Sequence, residues 1–292
     1  MEKLFLLDAY ALIYRAYYAF IKNPRINSKG LNTSAILGFV NTLEEVLRKE
    51  NPTHIGIAFD PSGATFRHEA YQAYKAQREE TPEAIRQSVP IIKDIIRAYR
   101  IPILEVAGYE ADDVIGTLAT EAGKRGITTY MMTPDKDYGQ LVGEHVFMYR
   151  PKYGDKDFEI MGVNEVKAKF DIQSPLQVID MLGLMGDTAD NIPGCPGVGE
   201  KTAQKLIAQF GSIENLLTHT DELKGAIKKK VEENKEQIMF SKFLATIKTD
   251  VPVQLDMDAL KKEEPDEEEL RRLFEMLEFR TLIDRVIKTE KK

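Results

Sequence analysis

Short apolar runs recur along the first half of the chain, and each leads into an acid. Leu4-Phe5-Leu6-Leu7 precedes Asp8, Ile55-Gly56-Ile57-Ala58-Phe59 precedes Asp60, and Thr129-Tyr130-Met131-Met132 runs through Thr133-Pro134 to Asp135. Runs that are continuously apolar, not alternating, predict strands buried on both faces of a parallel sheet. A further strand is expected over Ile101-Pro102-Ile103-Leu104-Glu105-Val106. Between these runs the period becomes helical: over residues 35–49, Ile36, Phe39, Val40, Leu43 and Leu47 share one face. Strand alternating with helix implies βαβ units and right-handed crossovers. Beyond Asp171 the strand patterns stop and the chain reads as helical, with an amphipathic helix over residues 268–277. The pattern divides the chain into an α/β part over 1–170, a helical part over 171–254, and an acidic linker with a terminal helix over 255–292.

Open α/β sheets bind ligands at the carboxyl ends of their strands, where Asp8, Asp60 and Asp135 are expected. Three acids at one sheet edge repel one another unless a cation sits among them. More acids come in tight sets: Glu110-Ala111-Asp112-Asp113 opening a helix, Asp135-Lys136-Asp137 after a strand, and Asp187 with Asp190 at i and i+3, on one side of a helical turn. Taken singly, such acids serve as helix caps or turn residues. Together, nine of them fall at strand ends and helix starts on one face, and hard oxygen ligands in that number suit Mg²⁺ or Mn²⁺. Paired divalent ions are a recurrent means of hydrolysing phosphodiesters. The four histidines, His54, His68, His145 and His219, lie outside every acidic motif. The chain has no G-x-S-x-G, Walker A or H-E-x-x-H motif.

Composition narrows the class without changing it. With 292 residues, 43% of them hydrophobic, the chain has room for one large domain or a domain and a small module. No apolar run approaches the roughly 18–20 residues that span a bilayer. The amino-terminal stretch carries an acid and lacks a small-residue cleavage site, and Cys195 is the only cysteine, so a cytoplasmic location is expected. The net charge of −7 is uneven: residues 255–278 hold ten Asp/Glu against four Lys/Arg, whereas 62–100 hold seven Lys/Arg against five Asp/Glu. The global charge therefore says little about what the middle of the chain touches.

Two segments suggest how a substrate is held. If the start of 62–100 is helical, Arg67, Tyr71, Tyr74, Lys75 and Arg78 form one stripe of cations and aromatics, the combination that binds single-stranded nucleic acid. An ordinary amphipathic hairpin with a basic edge gives the same pattern. Thr81-Pro82 reads as a cap and first helical residue, followed by Ile85, Val89, Ile92 and Tyr99 on a packing face. Ile192-Pro193-Gly194-Cys195-Pro196-Gly197-Val198-Gly199-Glu200-Lys201 reads as a glycine-rich hairpin between helices, whose amides can hold a phosphate. Cys195 reads as a small packing residue there.

These motifs, in this order and spacing, resemble the 5′ nuclease domain of bacterial DNA polymerase I, within the flap endonuclease superfamily, from Leu4 to Phe279. The resemblance implies an α/β fold with a mostly parallel central sheet flanked by helices, PIN-like or resolvase-like. It adds a helical arch at about 62–100 and a helical DNA-binding part with a helix-hairpin-helix at about 185–210. It implies an inner metal site of Asp8, Asp60, Glu110, Asp112 and Asp113, completed by Asp135, Asp137, Asp187 and Asp190. Two Mg²⁺ ions are implied, with Mn²⁺ able to substitute, and K⁺ at the hairpin. Lys75 and Arg78 would contact the scissile phosphate, with Asp8, Asp60 and Asp112 nearest the chemistry. Phe66, Arg67 and Tyr74 would guide the strand, Arg15 would lie near the site, and Gly194, Gly197, Gly199 and Lys201 would grip duplex. The implied activity is that of a 5′-3′ exonuclease and flap endonuclease in replication and repair. Its partners would be DNA with a 5′ flap, nick or 5′ end and RNA primer–DNA hybrids. The protein would act as a monomer, without a membrane, and an attached polymerase is compatible with the charged end Lys288-Thr289-Glu290-Lys291-Lys292. Two rivals stay open: a metal-dependent phosphatase, from Asp135-x-Asp137 after a strand, and a non-catalytic DNA-binding scaffold.

Overall fold

The computed structural model describes residues 1–152 and 157–287; the charged end at 288–292 lies outside them. Six strands form one sheet in the order β3-β2-β1-β4-β5-β6. They are β1 (Lys3–Asp8), β2 (His54–Ala58), β3 (Ile103–Leu104), β4 (Thr128–Met132), β5 (Val146–Pro151) and β6 (Phe158–Met161). Neighbours are parallel except β5 and β6. Leu4 to Leu7 of β1 are fully buried, which is why that run is apolar on both faces. The chain winds from β1 to β2 and β3 on one side, then crosses to β4 and β5 on the other, so the crevice beyond the ends of β1 and β4 is a topological switch point.

Two layers cover the sheet. Phe5, Leu7, Ile55 and Ile57 pack against α1 (Ala9–Ala19), α2 (Ser34–Glu50) and α4 (Glu83–Ala98). Leu4, Leu6 and Met131 face α5 (Ala111–Lys124) and the helical second half. On α2, Ile36, Phe39, Val40 and Leu43 are buried as the period predicts, while Val46 is buried and Leu47 is left at the margin. The strand expected over 101–106 shrinks to β3, because Pro102 lacks a ladder donor and sits at the sheet edge. Strands β5 and β6 leave little trace in the sequence, since the apolar run at 146–149 is only four residues long.

The stripe expected from one continuous helix does not form. Helix α3 (Phe66–Ala70) ends at Tyr71, which is extended with φ −146°. Residues 72–77 then cross the amino end of α5 as turns, and Lys75 has φ +58°. Arg67, Tyr71, Tyr74, Lys75 and Arg78 therefore face different ways. Pro82 flanks α4 instead of opening it, and Thr81 caps nothing; its hydroxyl accepts from Tyr14 at 3.2 Å.

After β6 the chain is helical, through α6 (Val163–Phe170), α7 (Gln177–Met185), α8 (Glu200–Phe210), α9 (Ile213–Thr218), α10 (Gly225–Glu233) and α11 (Lys235–Ala245). The acidic stretch that follows is not a free tether. It contains α12 (Met257–Leu260), α13 (Glu267–Leu277) and α14 (Arg280–Val286), and the Lys262 amide donates to the Thr53 carbonyl at 2.9 Å. Leu270, Leu273, Phe274 and Leu277, at i, i+3, i+4 and i+7, are buried beside α2 and α4. Each such side chain stabilises by roughly 1.5–3 kcal/mol.

A candidate metal and nucleic-acid site

Six of the nine acids line one cavity of about 1060 Å³ at the switch point: Asp8, Asp60, Glu110, Asp112, Asp135 and Asp190. Backbone geometry puts them there. Asp8 ends β1 and caps α1; its other carboxylate oxygen accepts from the Tyr138 hydroxyl at 2.9 Å and from Thr133 at 3.3 Å. Asp60, just past β2, accepts the Ala111 amide at 2.8 Å and so ties that strand to the start of α5. Glu110 caps α5, and Asp135 accepts the Asp137 amide at 2.9 Å.

Collecting carboxylates in a buried place makes their charge hard to bear. Burial first, then Asp60, pushes Asp8 up to about 7. Burial, with Asp135, Asp187 and Asp190, pushes Asp137 up to about 8. Asp112 rises well above the usual carboxylate range from burial and from Glu110 and Asp113. Glu110 goes the other way: Lys75 and Arg67 outweigh its burial and hold it low. Two oxygens, Asp112 Oδ1 and Asp137 Oδ1, are buried with no hydrogen-bond partner. A buried carboxylate oxygen without a hydrogen bond is costly, Asp112 Oδ1 having only the Arg67 guanidinium at 3.9 Å, and a cation at each removes that cost. The donor set, all oxygen, fits hard divalent ions.

Among the described residues, ligand atoms gather in two groups, Glu110-Asp112-Asp113 and Asp137-Asp187-Asp190, each within 4.8 Å. Asp113 differs from its neighbours. It is fully buried, and its oxygens accept from both ends of the Arg67 guanidinium at 2.8 Å, from the Lys248 amide at 2.9 Å and from the Glu110 amide at 3.2 Å. With every lone pair directed at protein donors, Asp113 holds the Glu110 turn in place and does not open toward the cavity. Asp187 and Asp190 are not on a helical turn as expected. They belong to a tight turn closed by a bridge between Asp187 and Ile192, with Asn191 left-handed at φ +56°.

The basic residues divide. Lys75 Nζ reaches Glu110 at 2.5 Å and lies 3.9 Å from Asp190; Arg78 pairs with Asp190 and donates to the Ala189 carbonyl at 3.0 Å. Both line the cavity. Arg67, expected to meet DNA, is 1% exposed and donates besides to Glu110 at 2.5 Å and to the Leu244 and Thr246 carbonyls. Tyr74 is buried as well, its hydroxyl on Glu110 at 3.1 Å. These two brace acids and present no surface to a strand. Phe66 is half-buried against Tyr109 and Phe243. Arg15 points off the cavity, its guanidinium 5.1 Å over the Phe158 ring of β6. The face of α1 that does line the cavity is Tyr10, Tyr14 and Tyr18. Sequence reasoning missed that wall, although its i, i+4, i+8 spacing beginning two residues after Asp8 was there to see. It also missed Tyr138, whose contact with Asp8 spans 130 residues.

The hairpin lies between α7 and α8. Gly194 is left-handed, and a Cβ there would stand 2.3 Å from the Gly186 nitrogen, so glycine is required. Gly197 is left-handed too, facing the end of Lys230. Gly199 has ordinary negative φ and open space around it, so its backbone does not require glycine. Lys201 is exposed in the first turn of α8.

A model of the 5′-3′ exonuclease N-terminal resolvase-like domain matches residues 3–171, and one of the 5′-3′ exonuclease C-terminal SAM fold matches 173–268. DNA polymerase I of Bacillus caldotenax is 42% identical over 287 residues, 98% of this chain and 32% of the relative. DNA polymerase I of Bacillus subtilis gives the same figures. The chain thus spans about a third of the length of the curated relatives it matches. Among solved structures, the bacteriophage T5 5′-exonuclease with bound zinc superposes at TM-score 0.71 with 19% identity, covering 94% of this chain and 99% of that one. The catalytic core of Rad2 in complex with DNA substrate gives 0.65 with 17% identity, covering 98% and 93%. The fold is therefore a resolvase-like α/β domain with a SAM-like helical one. Among the described residues, no helix is long and apolar enough to cross a membrane.

Proposed function

Because the chain belongs to the 5′-3′ exonuclease family, we propose that it cuts phosphodiesters structure-selectively at 5′ flaps, nicks and 5′ ends of DNA, and at RNA primers paired to DNA. The observation that carries this reading is the cavity that joins six of the nine acids, Lys75 and Arg78 paired with two of them, and a tyrosine wall. Two divalent ions, Mg²⁺ by the donor chemistry, would be held by Asp8, Asp60, Glu110 and Asp112 and by Asp135, Asp137, Asp187 and Asp190. Such ions, when bound, neutralise the phosphate and supply a nucleophilic water. The rest falls to the chain. Lys75 and Arg78 stand where they can donate to the scissile phosphate as its charge grows. Tyr10, Tyr14 and Tyr18 offer faces on which unpaired bases stack without regard to sequence. Gly194, Gly197 and Lys201 present backbone and charge to duplex phosphates, with K⁺ at that hairpin belonging to the same proposal.

The phosphatase rival explains Asp135 and Asp137 but leaves the tyrosine wall and the hairpin idle. The scaffold rival leaves two buried carboxylate oxygens without hydrogen bonds and without a purpose. A 5′-labelled flap duplex incubated with Mg²⁺, with EDTA, and with Asp112→Asn decides among them. Release near the junction that needs metal and is lost in the variant is the expected result. Binding without cutting in Mg²⁺ and in Mn²⁺ would return the scaffold reading.

A further inference from the structure

The segment that carries Lys75 is anchored on Glu110 through the side chains of Tyr74 and Lys75, and its backbone is fastened to one short turn. The Asn191 side-chain amide donates to the Ala73 carbonyl at 2.7 Å, and the Lys75 amide donates to the Asp190 carbonyl at 2.9 Å. Arg78 Nε reaches the Ala189 carbonyl at 3.0 Å, and Gln77 reaches that of Thr188. Four consecutive residues, 188–191, thus each make one contact with residues 73–78: three carbonyls accept and the Asn191 amide donates. The turn itself is firm, since Asp187 and Ile192 exchange backbone hydrogen bonds of 3.0 and 2.8 Å. Two residues on, the Gly194 amide is fixed on Ser241 at 2.9 Å. Of the contacts made by this turn only the Asn191 amide reaches the backbone ahead of Lys75, where the chain must bend to bring Lys75 to φ +58°. Asn is also one of the few residues that accept φ +56° easily while offering a side-chain donor.

We propose that Asn191 is a positioning residue for the reaction: its amide holds the Ala73 carbonyl so that Lys75 stands beside Glu110, registering the cation to the turn that leads into the hairpin. This rests on the reading of Lys75 as a contact to the scissile phosphate. A duplex held at 193–199 then fixes, through one short rigid turn, where the cation meets the strand.

Asn191→Gly tests it, because glycine keeps the left-handed backbone and removes only the amide. The Lys75 amide is expected to exchange with solvent about tenfold faster, the upper end for loss of one hydrogen bond, while α5 and β1 amides keep their protection. Asn191→Asp, with the same shape and no donor, should give the same exchange result. Single-turnover cleavage of a saturating flap should fall about tenfold with duplex Kd unchanged. Combined with Lys75→Ala, Asn191→Gly should slow the reaction no further. Unchanged exchange at Lys75, or losses that multiply in the double variant, would overturn the proposal. If Lys75→Ala alone cuts at the full rate, the catalytic reading of Lys75 falls, and the exchange measurement still decides whether Asn191 holds the segment.

Discussion

Arg67 shows how far a residue's place can lie from what its neighbours in sequence suggest. It follows Phe66 in a basic, aromatic stretch, yet its guanidinium is spent on Glu110, Asp113 and two carbonyls some 180 residues away. Contacts at that separation leave no periodic trace, so the burial was not legible. Removing it takes the charged partner from fully buried Asp113 and one of two cations from Glu110. Arg67→Ala should cost about 3–5 kcal/mol in denaturant unfolding, and Arg67→Lys should recover little because an ammonium cannot match the bidentate fork. An undiminished midpoint would return Arg67 to the DNA surface. The acids themselves were legible as a set, and their protonation follows from the geometry. With Asp8 at about 7 and Asp137 at about 8, the folded, metal-free protein keeps protons that the unfolded chain has released. Stability from these groups is therefore greatest at low pH and falls as pH rises from about 4 through 8, the reverse of a salt-bridged carboxylate. The metal-free melting temperature should drop between pH 5 and 8, less so in Asp8→Asn, and saturating Mg²⁺ should restore it at pH 8. Calorimetry near pH 6.5 should show protons released on Mg²⁺ binding, as a heat that varies with buffer. A flat profile without proton release would mean the acids are ionised before metal arrives.

Elements were legible where one local rule governs them. Apolar runs ending in acids became β1, β2 and β4, and Glu110-Ala111-Asp112-Asp113 opened α5. The basic segment was not, because α3 breaks at Tyr71 once Arg67 and Tyr74 are drawn into the acids. The hairpin lies between these cases: its glycines signalled a turn, but not which of them the turn requires. Gly197 sits at φ +80°, where the nearest obstacle to a Cβ is the flexible end of Lys230. The backbone, not the clash, sets the cost there, about 1–2 kcal/mol for a left-handed residue with a side chain. Gly197→Val should weaken duplex binding by anisotropy severalfold and leave a steep salt dependence, since the lysines remain. Gly199→Ala should bind as the parent does. Equal losses in both would mean that the open space around Gly199 is itself the phosphate seat.

At the scale of the molecule, the two family models meet between residues 171 and 173, but the physical unit does not divide there. The stretch following α11 is stitched along the first half. The Lys248 amide serves Asp113, the Val251 amide donates to Thr117 at 3.1 Å, and Gln140 exchanges hydrogen bonds with Ala245 and Ile247. Leu4, Leu6 and Met131 of the sheet share one core with Val178, Leu182 and Leu244. Two of the three acids of the second group, Asp187 and Asp190, come from beyond the boundary. A chain ending at residue 171 would keep the strands but take from Arg67, Asp113 and Gln140 the buried partners they find at 244–248, each loss costing about 1–3 kcal/mol. Against a total stability of about 5–15 kcal/mol, several such losses plus an uncovered apolar face exceed what one domain can bear. The 1–171 fragment should therefore show no cooperative thermal transition, and co-expression with residues 172–292 should restore both the transition and Mg²⁺ binding. A fragment that melts cooperatively by itself would show that the sheet is the folding unit and that the helical half is added only to complete the site.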